Sequence, residues 1–175
     1  YSKKVSIYNT IRSRVGRGWP TGALEYFNQN KSIFSDYEKS FLLSKISNGY
    51  YLANLDDKAI KTLGNESFIK APYSEGLWIK GLAHYRKNEF EKSSKSFLIL
   101  SKIANNYWLE SAGAYWSFIS SSKMQGKKDI MKASIEALEK TCQKPYNLYS
   151  LLSCFVINKP IDITLGKNFN ELNKN

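Results

Sequence analysis

Cysteine, histidine and long apolar runs are scarce in this sequence, and each scarcity excludes a class of protein. The 175 residues include two cysteines, Cys142 and Cys154, and one histidine, His84. Two cysteines are too few for a disulfide framework, and without a second Cys/His pair they make no zinc site. They either form one disulfide across the turn at Pro145, if the compartment is oxidising, or remain two buried free thiols. No apolar run is long enough to span a membrane, so we expect no transmembrane segment.

Motifs for catalysis and cofactor binding are missing as well. The sequence contains no glycine-rich phosphate loop, no paired nucleophile and base, and no cluster of metal-ligating residues. His84 stands alone in a helical segment, where a histidine more often packs or faces solvent than binds a ligand. We therefore expect no metal, no cofactor and no catalytic residue in this chain.

Acidic residues are outnumbered by basic ones, which points towards anionic partners. Against 15 Asp and Glu stand 26 Lys and Arg, so the formal net charge is +11. Such a surface either attracts nucleic acid, lipid head groups or anionic wall polymer, or only solvates the helix faces over which its lysines are scattered. The one basic block free of acids comprises Lys3, Lys4, Arg12, Arg14 and Arg17. It lacks the interleaved aromatics and motif context of a nucleic-acid module, so we do not expect nucleic acid as the partner.

Aromatic residues are abundant and recur at helical spacing. The sequence has four Trp, twelve Tyr and nine Phe, which suits helix pairs that pack through aromatic side chains. Between residues 73 and 116, apolar positions recur every three or four residues, as on one face of a helix. This pattern predicts helices over 77–87 and 90–104 and a third helix from Trp108.

The first of these helix pairs has the spacing of a tetratricopeptide (TPR) unit. Gly81 on one helix is expected to face the small Ser93 on the next, with Phe97 filling the space beside them. The arrangement is echoed 34 residues earlier, with Ser47 where the later unit has Gly81. The matching pairs are Leu43 with Leu77, Tyr51 with Tyr85, Ala59 with Ser93, and Leu63 with Phe97. Beyond residue 112 the repeat is less clear, because the next hairpin is longer and lacks the glycine.

The fold class follows from this periodicity. The sequence predicts an all-α protein, an irregular helical-hairpin (TPR-like) superhelix of about eight to ten helices. We place this domain at residues 1–160 and expect residues 161–175 to form a C-terminal tail or linker.

Local signals predict where several helices begin. Ser35 and Glu38 have the spacing of a capping box, and residues 65–74 resemble a linker. Pro145 is expected to open the last helix, which ends near residue 157. The side chains that this helix is expected to turn inward are Leu148, Leu151, Leu152 and Phe155.

Four segments, taken in order, carry a resemblance to a known family. They are 18–24 (GWPTGAL), 77–86 (LWIKGLAHYR), 108–116 (WLESAGAYW) and 145–152 (PYNLYSLL). They resemble motifs in the helical region of alphaproteobacterial soluble lytic transglycosylases, among them a W-x-x-G-L-x-x-Y/W-R hairpin and a P-x-x-F-Y-G-L-L segment. Leu148 and Ser150 depart from the last of these motifs.

The resemblance implies a periplasmic, TPR-like superhelical domain that precedes a lysozyme-like catalytic domain. Enzymes of this family cleave the MurNAc–GlcNAc bond of peptidoglycan without water and form a 1,6-anhydro sugar. Their catalytic glutamate lies in an E-S-x-F motif that is followed by G-L-M-Q. Partial matches begin at Glu110, which lacks the aromatic, and at Glu66, where the aromatic comes one place early. Neither is followed by G-L-M-Q, so by this resemblance the catalytic domain lies beyond residue 175.

The function predicted from this resemblance is that of a non-catalytic domain. Its partners would be peptidoglycan and the missing catalytic domain, and its role would be to position glycan strands or to scaffold that domain. The alternative is a free-standing TPR-type module that binds a protein partner in its concave groove.

Candidate binding residues are aromatic or basic. Most of the aromatics are expected in the core, and a few are expected to line the concave face, where rings can stack on sugars and arginines can meet peptide carboxylates. Trp19 is the best candidate for a partly exposed ring. The full set is Trp19, Trp78, Tyr85, Trp108, Tyr115, Trp116, Arg12, Arg14 and Arg17.

Overall fold

The computed structural model describes residues 2–158, and the secondary structure of this part of the chain is helical, without a strand. The ten α-helices are α1 (Ser2–Gly16), α2 (Pro20–Asn30), α3 (Asp36–Leu52), α4 (Asp56–Thr62), α5 (Glu66–Lys70), α6 (Ser74–Arg86), α7 (Phe90–Ile103), α8 (Tyr107–Ser121), α9 (Lys128–Cys142) and α10 (Leu148–Val156). The prediction of an all-α fold with about eight to ten helices is confirmed. The predicted tail at 161–175 lies outside the described residues.

The 34-residue repeat corresponds to two equivalent hairpins, α3–α4 and α6–α7. In the first hairpin, the hydroxyl of Ser47 donates a hydrogen bond to the carbonyl oxygen of Ala59 at 3.0 Å. In the second, the hydroxyl of Ser93 donates to the carbonyl oxygen of Gly81 at 2.9 Å. The two bonds join equivalent positions with donor and acceptor exchanged. The serine that replaces glycine in the first unit therefore keeps the link between the two helices.

The turns of the two hairpins are also equivalent. Asn54 and Asn88 both adopt φ of 59°, a left-handed conformation that asparagine tolerates better than most residues. In each turn, the amide of the following residue donates a hydrogen bond to the carbonyl oxygen five residues earlier. Leu55 donates to Tyr50 and Glu89 donates to His84, both at 2.9 Å. This bond is the Schellman closure of a helix C-terminus. Each first helix thus ends by the same device.

Helices α7, α8 and α9 approach closely because serines line their contacts. Hydroxyl pairs join Ser94 with Ser117 at 3.0 Å and Ser117 with Ser134 at 2.7 Å, and all three residues are buried. Their hydroxyl groups are therefore satisfied inside the protein, as buried polar groups need to be. The small serine side chains allow the helices to lie close together. Their hydroxyl groups bind each other instead of water.

The last helix differs from the prediction in its start and its inward face. It begins at Leu148 rather than at Pro145, because Asn147 caps it and forms a capping box with Ser150. Leu148 is 64% exposed and Phe155 is 74% exposed, so the expectation that both face inward is wrong. The buried residues of α10 are Ser150, Ser153 and Cys154. Small residues, rather than leucines, allow α10 to pack closely on α8 and α9.

The two cysteines form a disulfide between the end of α9 and α10. The Cα atoms of Cys142 and Cys154 lie 4.9 Å apart. Of the two alternatives left open by the sequence, the structure contains the single disulfide across the turn at Pro145.

Two local expectations have different outcomes. The capping box at α3 is confirmed, since the Glu38 amide donates to the Ser35 hydroxyl and the Ser35 amide donates to the Glu38 carboxylate.

The linker expected at 65–74 is partly helical, because it contains α5. The Asn65 side chain caps that short helix by accepting from the Ser67 amide at 3.0 Å.

Candidate functional site

A tight turn between α1 and α2 positions Trp19. Gly18 has φ of +74°, which glycine adopts without the steric cost that a side chain would add. The Trp19 amide donates back to the Arg14 carbonyl oxygen at 2.9 Å. Pro20 then opens α2, where its missing N–H leaves no helical bond unmade. The sequence Gly-Trp-Pro thus fixes the backbone of Trp19 against the end of α1.

The indole of Trp19 rests on the first turn of α2 and is still largely open to solvent. A Cβ atom added to Gly22 would overlap Cε2, Cζ2 and Cδ2 of the indole, so the ring covers the Gly22 backbone. Trp19 is nevertheless 53% exposed. Glycine at position 22 is therefore what allows the ring to lie in this place, as a supported aromatic platform.

Arg14 contacts this platform as well. Its guanidinium donates to the carbonyl oxygen of Gly22 at 2.6 Å. Its Cζ lies 4.9 Å from the centre of the Trp19 ring and 4.7 Å from that of Tyr26. Cation–π contacts of this kind stabilise by about 0.5–1 kcal/mol at exposed sites. Three contacts thus fix the position of the Arg14 guanidinium beside the indole.

An open groove runs from Trp19 along one face of α1. It encloses about 900 Å³, and we refer to it as the N-terminal groove. Its lining residues are Val5, Ser6, Asn9, Thr10, Ser13, Arg14, Arg17 and Trp19. The α1 members recur at spacings of three and four, which places them on one helical face. The groove therefore combines an aromatic ring, two guanidinium groups and a row of hydroxyl and amide groups.

Sequence reasoning identified only part of this groove. It predicted Trp19, Arg14 and Arg17, and the structure brings all three together. It missed Ser6, Asn9, Thr10 and Ser13, because a polar helix face also suits plain solvation. The signal that could have found them is their helical spacing in line with Trp19. Arg12, the remaining predicted arginine, is exposed but does not line the groove.

The five aromatic residues predicted along the central helices form one cluster. The ring of Trp78 lies 5.7 Å from that of Trp108 and 6.4 Å from that of Trp116. Trp116 also contacts Tyr85 at 5.3 Å and Tyr115 at 6.4 Å. All four contacts are edge-to-face, the geometry that aromatic rings favour in protein interiors. We refer to these residues as the aromatic cluster.

A sixth ring, which sequence reasoning did not single out, connects the aromatic cluster to α10. Tyr149 lies 5.3 Å from Trp108 and 5.7 Å from Tyr115. Its hydroxyl accepts a hydrogen bond from the Trp116 indole nitrogen at 3.5 Å. Trp108 is 49% exposed, whereas the other members are half-buried. The cluster therefore mainly joins α6, α8 and α10, and Trp108 is its most open ring.

The two partial matches to a catalytic glutamate are bound in ion pairs. Glu110 pairs with Lys140 at 2.8 Å, and Glu66 pairs with Lys70 at 2.7 Å. The Lys70 ammonium lowers the pKa of the Glu66 carboxyl. A general acid on a glycosidic bond needs the opposite environment, an apolar one that keeps its proton in place. The helical surroundings of these glutamates do not provide it.

Neither a metal cluster nor a membrane span emerges from the described residues. Between residues 2 and 158, no three or more His, Cys, Asp and Glu side chains are grouped so that they could hold a metal ion. None of the helices in this range combines the length and apolar composition that crossing a bilayer requires.

A second cavity lies next to the N-terminal groove and shares Val5 with it. It encloses about 360 Å³ and lies between α1 and α3. Lys4 spans its rim through an ion pair with Glu38 at 2.9 Å, and the Lys4 ammonium also lies 5.7 Å from the centre of the Phe34 ring. The charged groups of Lys4 and Glu38 at this rim are thus already paired within the protein.

Comparisons with known proteins add no relative to this description. No protein-family model, no curated protein and no solved structure matches the chain. The resemblance to lytic transglycosylases therefore stays a prediction from the sequence motifs.

Proposed function

We propose that this chain is a non-catalytic helical domain of a periplasmic peptidoglycan lytic transglycosylase, in which it positions glycan strands or scaffolds the catalytic domain. The observation that carries the proposal is the half-exposed Trp19 indole, supported by Gly22 at the end of an open groove that also presents polar side chains. Its partners would be peptidoglycan and the catalytic domain.

The chemistry of the N-terminal groove suits a sugar chain. A pyranose ring has an apolar face of C–H groups, which can pack on an aromatic ring, and a rim of hydroxyl groups. The Trp19 indole offers such a ring, and Asn9, Thr10 and Ser13 offer hydrogen-bonding groups along the same groove. Ligand sites commonly combine one apolar contact surface with a few polar groups that set orientation.

Two further features support the proposed location and family. Structural disulfides persist in oxidising compartments such as the bacterial periplasm, and the chain has one between Cys142 and Cys154. The segment 18–24, which resembles a motif of the family, is the segment that builds the Trp19 platform.

The alternative, a TPR-type module for a protein partner, is favoured by two exposed apolar residues of α10. Leu148 is 64% exposed and Phe155 is 74% exposed. Large apolar side chains exposed on one helix are typical of a protein-binding surface. If this alternative is right, a Leu148→Ser/Phe155→Ser variant would lose partner binding, whereas a Trp19→Ala variant would not.

The proposal is tested by co-sedimentation of the purified chain with insoluble peptidoglycan sacculi, combined with an assay for released muropeptides. We expect the chain to be retained and no 1,6-anhydro product to appear. Trp19→Ala should lower retention about fivefold, because losing one aromatic stacking contact costs roughly 1 kcal/mol.

Trp108→Ala is the matched control, since it removes a second indole of similar exposure from the aromatic cluster. It should leave retention unchanged if the N-terminal groove is the binding site. Equal losses in the two variants would refute the assignment to the groove. Absence of retention at low salt would refute direct wall binding, and release of anhydro products would refute a non-catalytic domain.

A further inference from the structure

The second cavity, between α1 and α3, has mostly aromatic walls, and we refer to it as the α1–α3 cavity. Its aromatic lining residues are Tyr8, Phe34, Tyr37 and Phe41, and Glu38 is the single acid among the residues that line it. Its volume of about 360 Å³ lies within the range of sites that hold small molecules. The faces of aromatic rings attract cations, and a carboxylate adds a full opposite charge. The composition of the wall therefore suits a cation with apolar substituents.

The aromatic rings of this wall are already fixed in position. Tyr8 stacks on Phe41 with 5.8 Å between the ring centres. Tyr73 contacts Phe41 at 5.0 Å and Tyr37 at 5.7 Å, both edge-to-face, and Phe34 is buried. Because few side chains would have to be ordered when a ligand binds, little affinity is lost to ordering.

The protein places one of its own cations in this cavity. The Lys4 ammonium donates to both carboxylate oxygens of Glu38, at 2.9 and 3.0 Å. It also lies 5.7 Å from the centre of the Phe34 ring, within the range of a cation–π contact. Lys4 therefore marks the position at which the α1–α3 cavity accommodates a positive charge.

Lys4 can leave this position at little cost, whereas Glu38 is held. The side chains of Lys4 and Glu38 are 43% and 40% exposed, and ion pairs with this much solvent exposure contribute little to stability. The Glu38 carboxylate also accepts a hydrogen bond from the Ser35 amide at 2.7 Å. The hydrogen bonds from Lys4 and from the Ser35 amide lower the pKa of the Glu38 carboxyl, so this group is charged at neutral pH.

We propose that the α1–α3 cavity binds a small quaternary ammonium compound, which replaces the Lys4 ammonium between Glu38 and the aromatic rings. A quaternary ammonium has no N–H group to satisfy, and aromatic rings are the usual partners of such ligands in proteins. A primary ammonium is more strongly hydrated, so it gains less from a wall with one carboxylate.

This inference goes beyond the proposed function and does not depend on it. The α1–α3 cavity and the N-terminal groove share Val5, but they share no charged and no aromatic residue. Binding at one site can therefore be changed without altering the chemical groups of the other.

The inference is tested with two ligands of the same shape and different charge. The full chain is titrated at constant ionic strength with choline and with dimethylbutanol, its uncharged isostere in which carbon replaces the nitrogen. Binding is followed by the amide chemical shifts of α1 and α3. We expect choline to bind about tenfold more tightly. Equal affinity for the two ligands would overturn the inference, because the cavity would then be an apolar pocket without selectivity for a cation.

Substitutions of the two charged residues test the replacement of Lys4. Lys4→Gln should tighten choline binding about fivefold, because the competing ammonium is removed. Glu38→Gln should weaken it about tenfold, and glutamine can still form the capping box with Ser35. Lys3→Gln is the matched control, since Lys3 is the exposed neighbour of Lys4 and does not line the cavity. It should leave the affinity for choline unchanged.

A substitution of one ring separates the cation–π contact from apolar contact. Tyr37 is 58% exposed, so Tyr37→Leu changes the wall of the cavity without opening the core. It should weaken choline binding about threefold and leave the affinity for dimethylbutanol unchanged. Equal weakening of both ligands would contradict a contribution of the ring to cation binding.

The remaining outcomes also decide the inference. Equal tightening by Lys4→Gln and Lys3→Gln would overturn it, because net charge alone would then explain the effect. Absence of choline binding to both the unchanged protein and Lys4→Gln would overturn it as well. Phosphatidylcholine carries the same head group, so a vesicle flotation assay is run in parallel. Binding to these vesicles that Glu38→Gln abolishes would support the same recognition, with a lipid as the source of the ligand.

Discussion

The imidazole of His84 lies inside the α6–α7 hairpin, where the residue is 4% exposed. Burial lowers the pKa of this imidazole from its ordinary value, and the nearby ammonium groups of Lys80 and Lys92 act in the same direction. The hydrogen bond to Glu89, at 2.7 Å, opposes them. Burial outweighs that hydrogen bond, so the net shift of the His84 pKa is downward, and the neutral imidazole donates its Nδ1 proton to the Glu89 carboxylate.

This environment makes stability depend on pH in a defined direction. The unfolded chain binds a proton at His84 more readily than the folded chain does, so the free energy of unfolding should fall as the pH drops from about 7 to about 5. His84→Gln keeps a donor for Glu89 but does not titrate, and it should flatten this part of the profile. The measurement is urea unfolding at several pH values.

Glu89 does not obscure the result. The hydrogen bond from His84 lowers the pKa of the Glu89 carboxyl below 4.5, so its own contribution to stability is lost only at lower pH. A His84→Gln variant with the same slope as the unchanged protein between about pH 7 and 5 would show that another group is responsible.

At the scale of the helix, α7 and α8 pack so closely that their backbones nearly touch at Gly113. A Cβ atom added to Gly113 would lie 2.8 Å from the Ser101 amide nitrogen and 2.9 Å from the Phe97 carbonyl oxygen. Both are backbone atoms of α7 and cannot move without shifting that helix. Glycine at position 113 thus sets the distance between the two helices.

Gly113→Ala should therefore destabilise the protein, although alanine is the better helix former. Overpacking of a well-packed interior costs roughly 1–3 kcal/mol, more than the helix propensity gained from alanine, about 1 kcal/mol. Thermal and urea unfolding measure the difference. Gly16→Ala is the control, because a Cβ there meets no atom within 4 Å, and it should be neutral or slightly stabilising. Equal behaviour of the two variants would contradict the packing argument.

The periodicity of the sequence was sufficient to predict the hairpins but not the separations between them. Ser47 and Gly81, or Leu63 and Phe97, could be matched because one-dimensional spacing determines which face of a helix they occupy. Gly113 could not be interpreted, since its role depends on backbone atoms of another helix. The face of α10 was mistaken because leucine and phenylalanine are usually buried, whereas here Ser150, Ser153 and Cys154 make the contact.

The candidate site was likewise predictable only where it depends on local sequence. The exposure of Trp19 followed from its place between Gly18 and Pro20, which is local information. The grouping of Arg14 and Arg17 with Asn9 and Ser13 required knowing which face of α1 the rest of the protein leaves open. The open face of α1 is determined by how this helix packs on α2 and α3, so the sequence of α1 alone does not reveal it.

On the scale of the whole molecule, extensive contacts in the described part of the chain join helices that are close in sequence. The pairs α6–α7, α7–α8 and α8–α9 are the most closely associated, and α10 packs on α8 and α9. Stability in such an array is approximately a sum of terms between neighbours. The disulfide between Cys142 and Cys154 therefore acts on the α9–α10 end rather than on the molecule as a whole.

Removing the disulfide should loosen this end first. In the chain-entropy description, a cross-link that closes a loop of this size stabilises by about 3 kcal/mol. We expect the Cys142→Ser/Cys154→Ser variant to show faster amide exchange in α10 and the end of α9, with α3 to α7 nearly unchanged. Hydrogen–deuterium exchange resolves the two regions.

A reducing agent provides the control for this prediction. It should produce the same change in the unmodified protein and have no effect on the doubly substituted variant. Uniform acceleration of exchange across α3 to α10 would mean that the array unfolds as one unit, in contradiction to additive neighbour terms.

Asn54 and Asn88 have a consequence for how such a chain can change length during evolution. They lie 34 positions apart and share the same φ, 59°, and each follows a helix that ends with the same backbone bond. Unequal crossing-over between the two codons would insert or delete one 34-residue segment with the helices α4, α5 and α6, and would rejoin the chain at an identical turn. The new junction would need no new turn sequence. A gene built in this way can gain or lose a module while every remaining helix keeps its boundary.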